Sequence, residues 1–184
     1  MLAFEIVETL MPFMEALMFF LIFEAFLERR PGWGLWRYVL GVVVLGCLIM
    51  WSNHMFLYTF KNTLLIIVLG MVAAVVCYEG SLWEKIVVPF IETLISTVTE
   101  LVVMHVMAIV FECPVTAIVT APMYRFIGIL MSKLAALAVC NGLRVKRCMR
   151  RIDLNNIYWI LYMLLFSIVG MVSFFIFRIG YEFN

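Results

Sequence analysis

Long runs of apolar residues, separated by short polar breaks, dominate the chain. They predict six helices, at about 3–27, 35–51, 56–78, 82–111, 119–143 and 154–178. Crossing a bilayer takes roughly 20 apolar residues in a helix, and most of these runs are that long. The loops between them leave no room for a soluble region. The pattern therefore predicts one domain, 1–184, an all-α polytopic bundle of about six transmembrane helices.

Composition supports a membrane location. Hydrophobic residues are 66% of the 184 positions, charged residues are 14%, and the mean hydropathy is +1.12. Soluble domains carry about 25% charged residues, so lipid is the expected solvent for much of this surface. The net charge is only +1, and the sequence shows no broad basic face. Both observations argue against a nucleic-acid partner. The N-terminus carries Glu5 and Glu8 where a signal peptide has Lys or Arg, and no A-x-A-like cleavage site follows the apolar run, so the first helix is expected to be retained.

The distribution of basic residues predicts the orientation. The odd-numbered loops and their edges hold Arg29, Arg30, Arg37, Lys85, Arg144, Lys146, Arg147, Arg150 and Arg151. The even-numbered loops and the ends hold only Lys61, Arg125 and Arg178. Because Lys and Arg favour cytoplasmic loops, loops one, three and five are predicted inside a multi-pass cell-membrane protein. The N-terminus, and with six spans also the C-terminus, is then outside.

Charged residues within the predicted spans are the first candidates for function. Each costs at least about 2.5 kcal/mol at the centre of a helix and therefore normally faces the bundle interior or a wet cavity. In the first helix Glu5, Glu8 and Glu15 share one face, and Glu24 lies on the opposite side near the cytoplasmic end. Glu5 and Glu8 fit the headgroup zone. Glu15 is deeper and is a candidate ligand or signal-relay residue.

The fourth helix carries a polar stripe that should not face lipid. Its members are Glu92, Ser96, Thr99, Glu100 and Val103, with Thr93 and Thr97 on the flank. One interpretation is interhelical glue, in which hydroxyls bond to neighbouring backbones. The other is a surface that binds a ligand or transmits a signal.

The fifth helix places a lysine near mid-membrane. Arg125, Ser132, Lys133 and Cys140 share one face of it. Counted from the loop near Val115, Glu100 and Lys133 have similar depths, so antiparallel neighbours would bring them together. Pairing opposite charges is the least costly way to bury both, so we predict this ion pair, as a fixed structural pair or a switchable one.

Two further features complete the set of candidates. His105 lies roughly opposite Glu100 on the fourth helix, and the pattern favours a buried, hydrogen-bonded histidine. The candidate ligand or signal-relay residues are thus Glu15, Glu92, Glu100, His105, Arg125 and Lys133. The basic cluster Arg144, Lys146, Arg147, Arg150 and Arg151 is predicted to hold loop five inside against anionic headgroups, with docking of a cytoplasmic partner as the alternative.

The layout resembles the N-terminal membrane region of GHKL-class sensor histidine kinases, the group that includes peptide-pheromone receptors. The resemblance rests on FEIVETLMPFMEALMFFLIFEAF, GSLWEKIVVPFIETLISTVTELVV, RFIGILMSKLAALAV, the basic fifth loop and WILYMLLFSIVGMVSFF. It implies signal transduction in a two-component system of the quorum-sensing type. The phosphoacceptor helix and ATP-binding domain of that family have no counterpart here, so the chain is expected to be a truncated or free-standing sensor region.

The sequence leaves more than one function open. A receptor would bind an extracellular peptide or small molecule, possess no catalytic site and form homodimers. The principal alternative is a substrate-binding membrane subunit of a small-solute transporter, with a polar-lined pocket. A membrane peptide-processing protease would need paired Cys and His, but Cys113 and His105 lie in a loop and a span. No cofactor or metal is expected, because no phosphate-binding loop or zinc motif occurs.

Overall fold

The described part of the chain is helical, as the sequence predicts. A computed structural model of the protein describes residues 2–32, 34–56 and 60–146. The helices are α1 (Leu2–Phe26), α2 (Leu35–Phe56), α3 (Phe60–Cys77), α4 (Leu82–Val110), α5 (Val115–Thr120) and α6 (Pro122–Lys146). Two short strands, β1 (Glu28–Arg29) and β2 (Tyr78–Glu79), pair with each other. The predicted helix at 154–178 lies outside the described residues.

Four of these helices are long and apolar enough to cross a membrane. They contain the segments Thr9–Phe26, Leu35–Phe56, Leu82–Val110 and Met123–Val145, and α3 contributes the shorter apolar segment Lys61–Cys77. At about 1.5 Å per residue, even an 18-residue segment approaches the thickness of a hydrocarbon core. Length and composition are therefore consistent with a membrane protein.

Helix α1 lies at the centre of the bundle. Its apolar segment is 61% buried, against 22%, 6% and 28% for the other three candidate spans. It contacts α2, α4 and α6, and Met18, Phe19, Phe20, Ile22 and Phe23 are fully or almost fully buried. A helix buried in a membrane bundle is apolar on most sides, and Glu15 and Glu24 are the charged residues of this segment of α1.

Phenylalanines of α1 fit against glycines of its neighbours. A Cβ atom added to each glycine would lie 2.5–2.7 Å from a ring carbon, which is closer than real contacts allow. The pairs are Phe20 with Gly41, Phe13 with Gly46, and Phe19 with Gly70. Small residues at helix interfaces let neighbouring backbones approach in the membrane, where van der Waals packing drives association.

The end of α2 and the start of α3 both differ from the predicted boundaries. The sequence predicts that α2 ends at 51 and that α3 starts at 56, but α2 continues to Phe56 and α3 begins at Phe60. Ser52 Oγ donates to Asn62 Oδ1 at 2.5 Å, and Asn62 Nδ2 donates to Asn53 Oδ1 at 2.7 Å. Because these polar side chains pair across the two helices, they do not mark a helix end.

The start of α4 follows directly from its sequence. Ser81 is the N-cap: its Oγ accepts a hydrogen bond from the Glu84 backbone N–H at 3.3 Å, and Glu84 Oε2 accepts one from the Ser81 N–H at 2.7 Å. This reciprocal capping box satisfies donors that a helix start otherwise leaves open. Gly80 precedes it with φ +140°, a conformation that glycine adopts readily.

The predicted fifth helix is interrupted near its start. The sequence predicts a single helix at 119–143, whereas α5 ends at Thr120 and α6 starts at Pro122. Ala121 between them is extended, with φ −78° and ψ 122°. Proline disfavours helical backbone in the residue before it and is well suited to the first position of a helix, so Pro122 ends one helix and begins the next.

The first and third loops meet at one end of the bundle. Glu28 pairs with Glu79 and Arg29 with Tyr78 in the antiparallel β1–β2 contact. Arg30 extends over the end of α3, where its Nη2 donates to the Val75 carbonyl at 2.9 Å. Residues 27–32, residues 78–81 and the last turn of α6 are called the basic end below.

Candidate functional site

Lys133 lies at the junction of three helices. It belongs to the buried face of α6, together with Ser132, Ala136 and Cys140. Its Nζ atom is 2.7 Å from Glu100 Oε1 on α4 and 2.6 Å from Glu15 Oε1 on α1. The predicted pair of Glu100 and Lys133 is therefore confirmed, and Glu15 is a second carboxylate on the same ammonium.

A fourth ionisable group adjoins this junction. Glu92 is buried, with 3% of its surface exposed. Ser96 Oγ donates to its Oε1 at 2.9 Å, and its carboxylate lies within electrostatic range of Glu15 and Lys133. Glu15, Glu92, Glu100 and Lys133 are called the charge cluster below. It sets three carboxylates against one ammonium, so the acidic groups outnumber the basic one.

The ion pairs explain how the cluster can exist within apolar helices. A charge left alone at this depth would carry the full insertion cost, whereas an ammonium between two carboxylates offsets much of it. The side chain of Lys133 is 9% exposed, that of Glu15 is 19% exposed and that of Glu100 is 38% exposed. Glu100 is therefore the member of the cluster that is most open to the surface of the described bundle.

The hydroxyls of α4 bond within their own helix. Thr93 Oγ1 donates to the Pro89 carbonyl at 3.0 Å, and Thr97 Oγ1 donates to the Thr93 carbonyl at 2.8 Å. Thr99 Oγ1 bonds to the carbonyls of Ile95 and Ser96. The interpretation of these hydroxyls as glue to neighbouring backbones is therefore wrong; they satisfy themselves locally, as Ser and Thr often do in helices.

Two of the predicted site residues are not brought into the cluster. His105, predicted to be buried, is exposed, and its Nδ1 lies 2.7 Å from the Leu101 carbonyl of its own helix. The predicted hydrogen bond is present, but the predicted burial is wrong, because the face of α4 that carries His105 also carries exposed Val102, Val106 and Ile109. Arg125 is half-buried two turns before Lys133 on α6.

A second ionic site at the basic end was not predicted. Glu24 of α1 pairs with Arg29, which follows α1, and its Oε2 lies 2.6 Å from Arg144 Nε on α6. The Glu24 side chain is only 8% exposed. Its Oε1 faces Arg29 as a charge contact, without a hydrogen bond of good geometry from any described residue. Glu24, Arg29 and Arg144 are called the Glu24 clasp below.

The sequence contained a signal for this clasp. Glu24 lies on the side of α1 opposite Glu15, close to the cytoplasmic end of the predicted span, and Arg144 opens the basic cluster at the same end of α6. Matching depths, the criterion that predicted the Glu100–Lys133 pair, would have paired these two as well. Arg144 is the member of the predicted basic cluster whose side chain is described; Lys146 ends α6, and Arg147, Arg150 and Arg151 lie outside the described residues.

Aromatic rings surround the clasp. The Arg29 guanidinium lies over the Tyr38 ring, 4.8 Å from its centroid, and Tyr38 packs edge-on against Phe20. Tyr78 is 1% exposed and its hydroxyl donates to the Phe20 carbonyl at 3.4 Å. Burial, assisted by nearby Tyr38, raises the pKa of Tyr78 well above its usual range, so this hydroxyl stays neutral.

Comparison with known proteins finds no family model, curated protein or solved structure that matches the chain. In residues 2–32, 34–56 and 60–146, no group of three or more His, Cys, Asp or Glu side chains is arranged to hold a metal ion. The features that bear on function are therefore the charge cluster and the Glu24 clasp.

Proposed function

We propose that this chain is a membrane-embedded sensor or receptor module that transmits an extracellular peptide or small-molecule signal. The observation that carries the proposal is the position of Lys133, whose ammonium is held by carboxylates from two other helices. Ionisable groups inside membrane spans are costly and commonly mark functional sites. A group that joins three helices is well placed to change their arrangement when its surroundings change.

The two ionic sites join α1 and α6 at two levels. Glu15 pairs with Lys133, and Glu24 pairs with Arg144, so residue numbers rise in the same direction and the two helices run parallel. The sites are about 14 Å apart along α1 and about 17 Å apart along α6, from nine and eleven residues at about 1.5 Å each. A shift of α6 against α1 would strain both, which couples mid-membrane to the basic end.

The proposed arrangement in the membrane follows the distribution of charge. Six spans would place the basic end inside and the N-terminus outside, because Lys and Arg concentrate at that end. A ligand would then bind at the outer mouth of the bundle, above the charge cluster. The resemblance to sensor histidine kinases supports this direction of signalling and a homodimeric state. The proposal assigns no catalysis to this chain, so the purified protein should incorporate no phosphate from ATP.

Spin-label distances would test whether the charge cluster influences the basic end. Leu35 and Val145 are both 74% exposed and lie at the start of α2 and the end of α6. In a cysteine-free background, nitroxides at these two positions would report the position of α6 in lipid nanodiscs. Lys133→Met should change their distance distribution, whereas Lys61→Met, at the far end of α3, should leave it unchanged. An identical distance distribution in Lys133→Met and the parent protein would contradict coupling between the charge cluster and the basic end.

A small-solute transporter subunit is the second candidate function. It is favoured by the composition of the charge cluster, in which three carboxylates accompany one ammonium. Excess acidic groups within a bundle are typical of ion and proton pathways. Solute or proton movement in proteoliposomes, abolished by Glu92→Gln, would favour this candidate over the sensor.

A further inference from the structure

The Glu24 clasp holds more hydrogen-bond donors than its carboxylate can accept. Arg144 donates from Nε, and Arg29 contacts the other carboxylate oxygen. Each guanidinium has five N–H donors, whereas one carboxylate offers about four acceptor positions. The side chains of Arg29 and Arg144 are 42% and 45% exposed. Parts of two guanidiniums therefore remain accessible at one place, with a local charge of one positive unit after Glu24 is counted.

The surroundings of the clasp resemble an interfacial binding site. A small cleft lined by Phe20, Arg29, Tyr38, Cys77 and Tyr78 opens beside it. Arg29 forms one wall, and its guanidinium is held against the Tyr38 ring. Tyrosine and arginine at the ends of membrane-spanning helices lie at headgroup level, where an apolar ring and a polar group are both accommodated.

Glu24 also keeps the two guanidiniums together before any ligand binds. It is nearly buried and contacts both arginines, one beyond the end of α1 and the other in the last turn of α6. Guanidinium groups match a phosphate, which accepts several hydrogen bonds at once, and Glu24 brings two of them to one place. Their preorganisation lowers the entropic cost of binding.

We propose that Arg29 and Arg144 form a binding site for the phosphate of an anionic phospholipid in the leaflet that adjoins the basic end. The lipid headgroup takes the donors that Glu24 leaves unused, and its acyl chains lie along the apolar surface of the bundle. The site lies where two spanning helices end, which places it at the depth of headgroup phosphates. This inference does not depend on the sensor proposal.

Lipid binding to the full chain would test the site. The protein in neutral detergent would be titrated separately with phosphatidylglycerol and phosphatidylcholine, and bound lipids counted by native mass spectrometry. Arg29→Gln and Arg144→Gln should each weaken phosphatidylglycerol binding about fivefold, the effect of one basic charge near an anionic surface. Phosphatidylcholine binding should not change. Lys61→Gln removes one exposed charge at the opposite end and is the matched control.

The effect of a substitution at Glu24 on lipid binding distinguishes a lipid site from an ion pair that is only structural. Glu24→Gln removes the carboxylate charge that competes with the phosphate but keeps an amide oxygen to which the two guanidiniums can still donate, so phosphatidylglycerol should bind at least as tightly as to the parent protein. Weaker binding in Glu24→Gln, equal losses in Lys61→Gln, or unchanged binding in both arginine variants would overturn the proposal. Displacement of the lipid by inorganic phosphate at constant ionic strength would also overturn it, in favour of a soluble anion site.

Discussion

The ammonium of Lys133 lies 2.7 Å from Oε1 of Glu100, and this contact joins α6 to α4. The two residues are 33 positions apart in the chain, and the turn at residues 111–114 together with α5 brings them to the same depth. Glu15 approaches the same ammonium from α1 at 2.6 Å. One lysine therefore connects the central helix to two of its neighbours.

Removing the ammonium should destabilise the protein more than removing either carboxylate. Lys133→Ala leaves the largely buried Glu15 and the partly exposed Glu100 without a counter-ion, whereas Glu100→Ala leaves Lys133 paired with Glu15. Breaking a buried pair costs about 3–5 kcal/mol in soluble proteins, and we expect Lys133→Ala to approach that size. Thermal unfolding in detergent would measure both variants, with Lys61→Ala as the control.

Restoring charge balance should restore stability in steps. Glu100→Gln with Lys133→Met still leaves the charge of Glu15, so recovery from Lys133→Met should be partial. Adding Glu15→Gln should recover more, because neither Lys133 nor its two carboxylate partners, Glu15 and Glu100, then leaves an uncompensated charge. A double variant as stable as the triple variant would mean that the charge of Glu15 does not affect the stability of the protein.

Contacts that follow from depth alone can be predicted from the sequence. Apolar runs located the helices, and equal distances from a shared turn predicted the pair of Glu100 and Lys133. The sequence did not predict which polar residues find partners across helices: Ser52 and Asn62 bond between α2 and α3, so the predicted break at Ser52 was wrong. The prediction that His105 is buried failed for a related reason: hydropathy alone does not distinguish an exposed stripe of α4 from a buried one.

The starts of α2 and α4 and the end of α6 lie at the basic end, so they should lie on one side of the membrane. Single cysteines at Leu35, Leu82 and Val145, which are 68–74% exposed, should all react from the same side of the membrane. If that side is cytoplasmic, a membrane-impermeant maleimide added to intact cells should label none of them. A cysteine at Lys61, at the other end of α3, should be labelled. Labelling of the first three from outside would reverse the proposed orientation, and a split among them would contradict the fold.

Tyr78 should give the protein an alkaline-sensitive contact. Burial raises the pKa of Tyr78, so its hydroxyl stays protonated in the fold after an unfolded tyrosine would have ionised. Stability from this group is therefore fully present below about pH 10 and is lost as pH rises through the folded-state pKa. Tyrosinate absorbance of the native protein should show late-titrating tyrosine, and Tyr78→Phe should remove its latest component. The same late group in Tyr78→Phe would assign it to another tyrosine.

The contacts between α1 phenylalanines and neighbouring glycines give a prediction with an internal control. A Cβ at Gly46 would lie 2.5 Å from Phe13 Cδ1, while a Cβ at Gly142 would meet nothing within 4 Å. Gly46→Ala must therefore displace the Phe13 ring or separate α1 from α2, and overpacking of this kind costs about 1–3 kcal/mol. Gly142→Ala adds the same methyl group to a helix without a clash and should be neutral or slightly stabilising. Thermal unfolding of both variants in the same detergent would separate the two effects.

Combining Gly46→Ala with Phe13→Leu should recover part of the loss, because the smaller side chain leaves space for the new methyl group. Equal stabilities of Gly46→Ala and Gly142→Ala would show that the close approach of α1 to α2 does not contribute to stability.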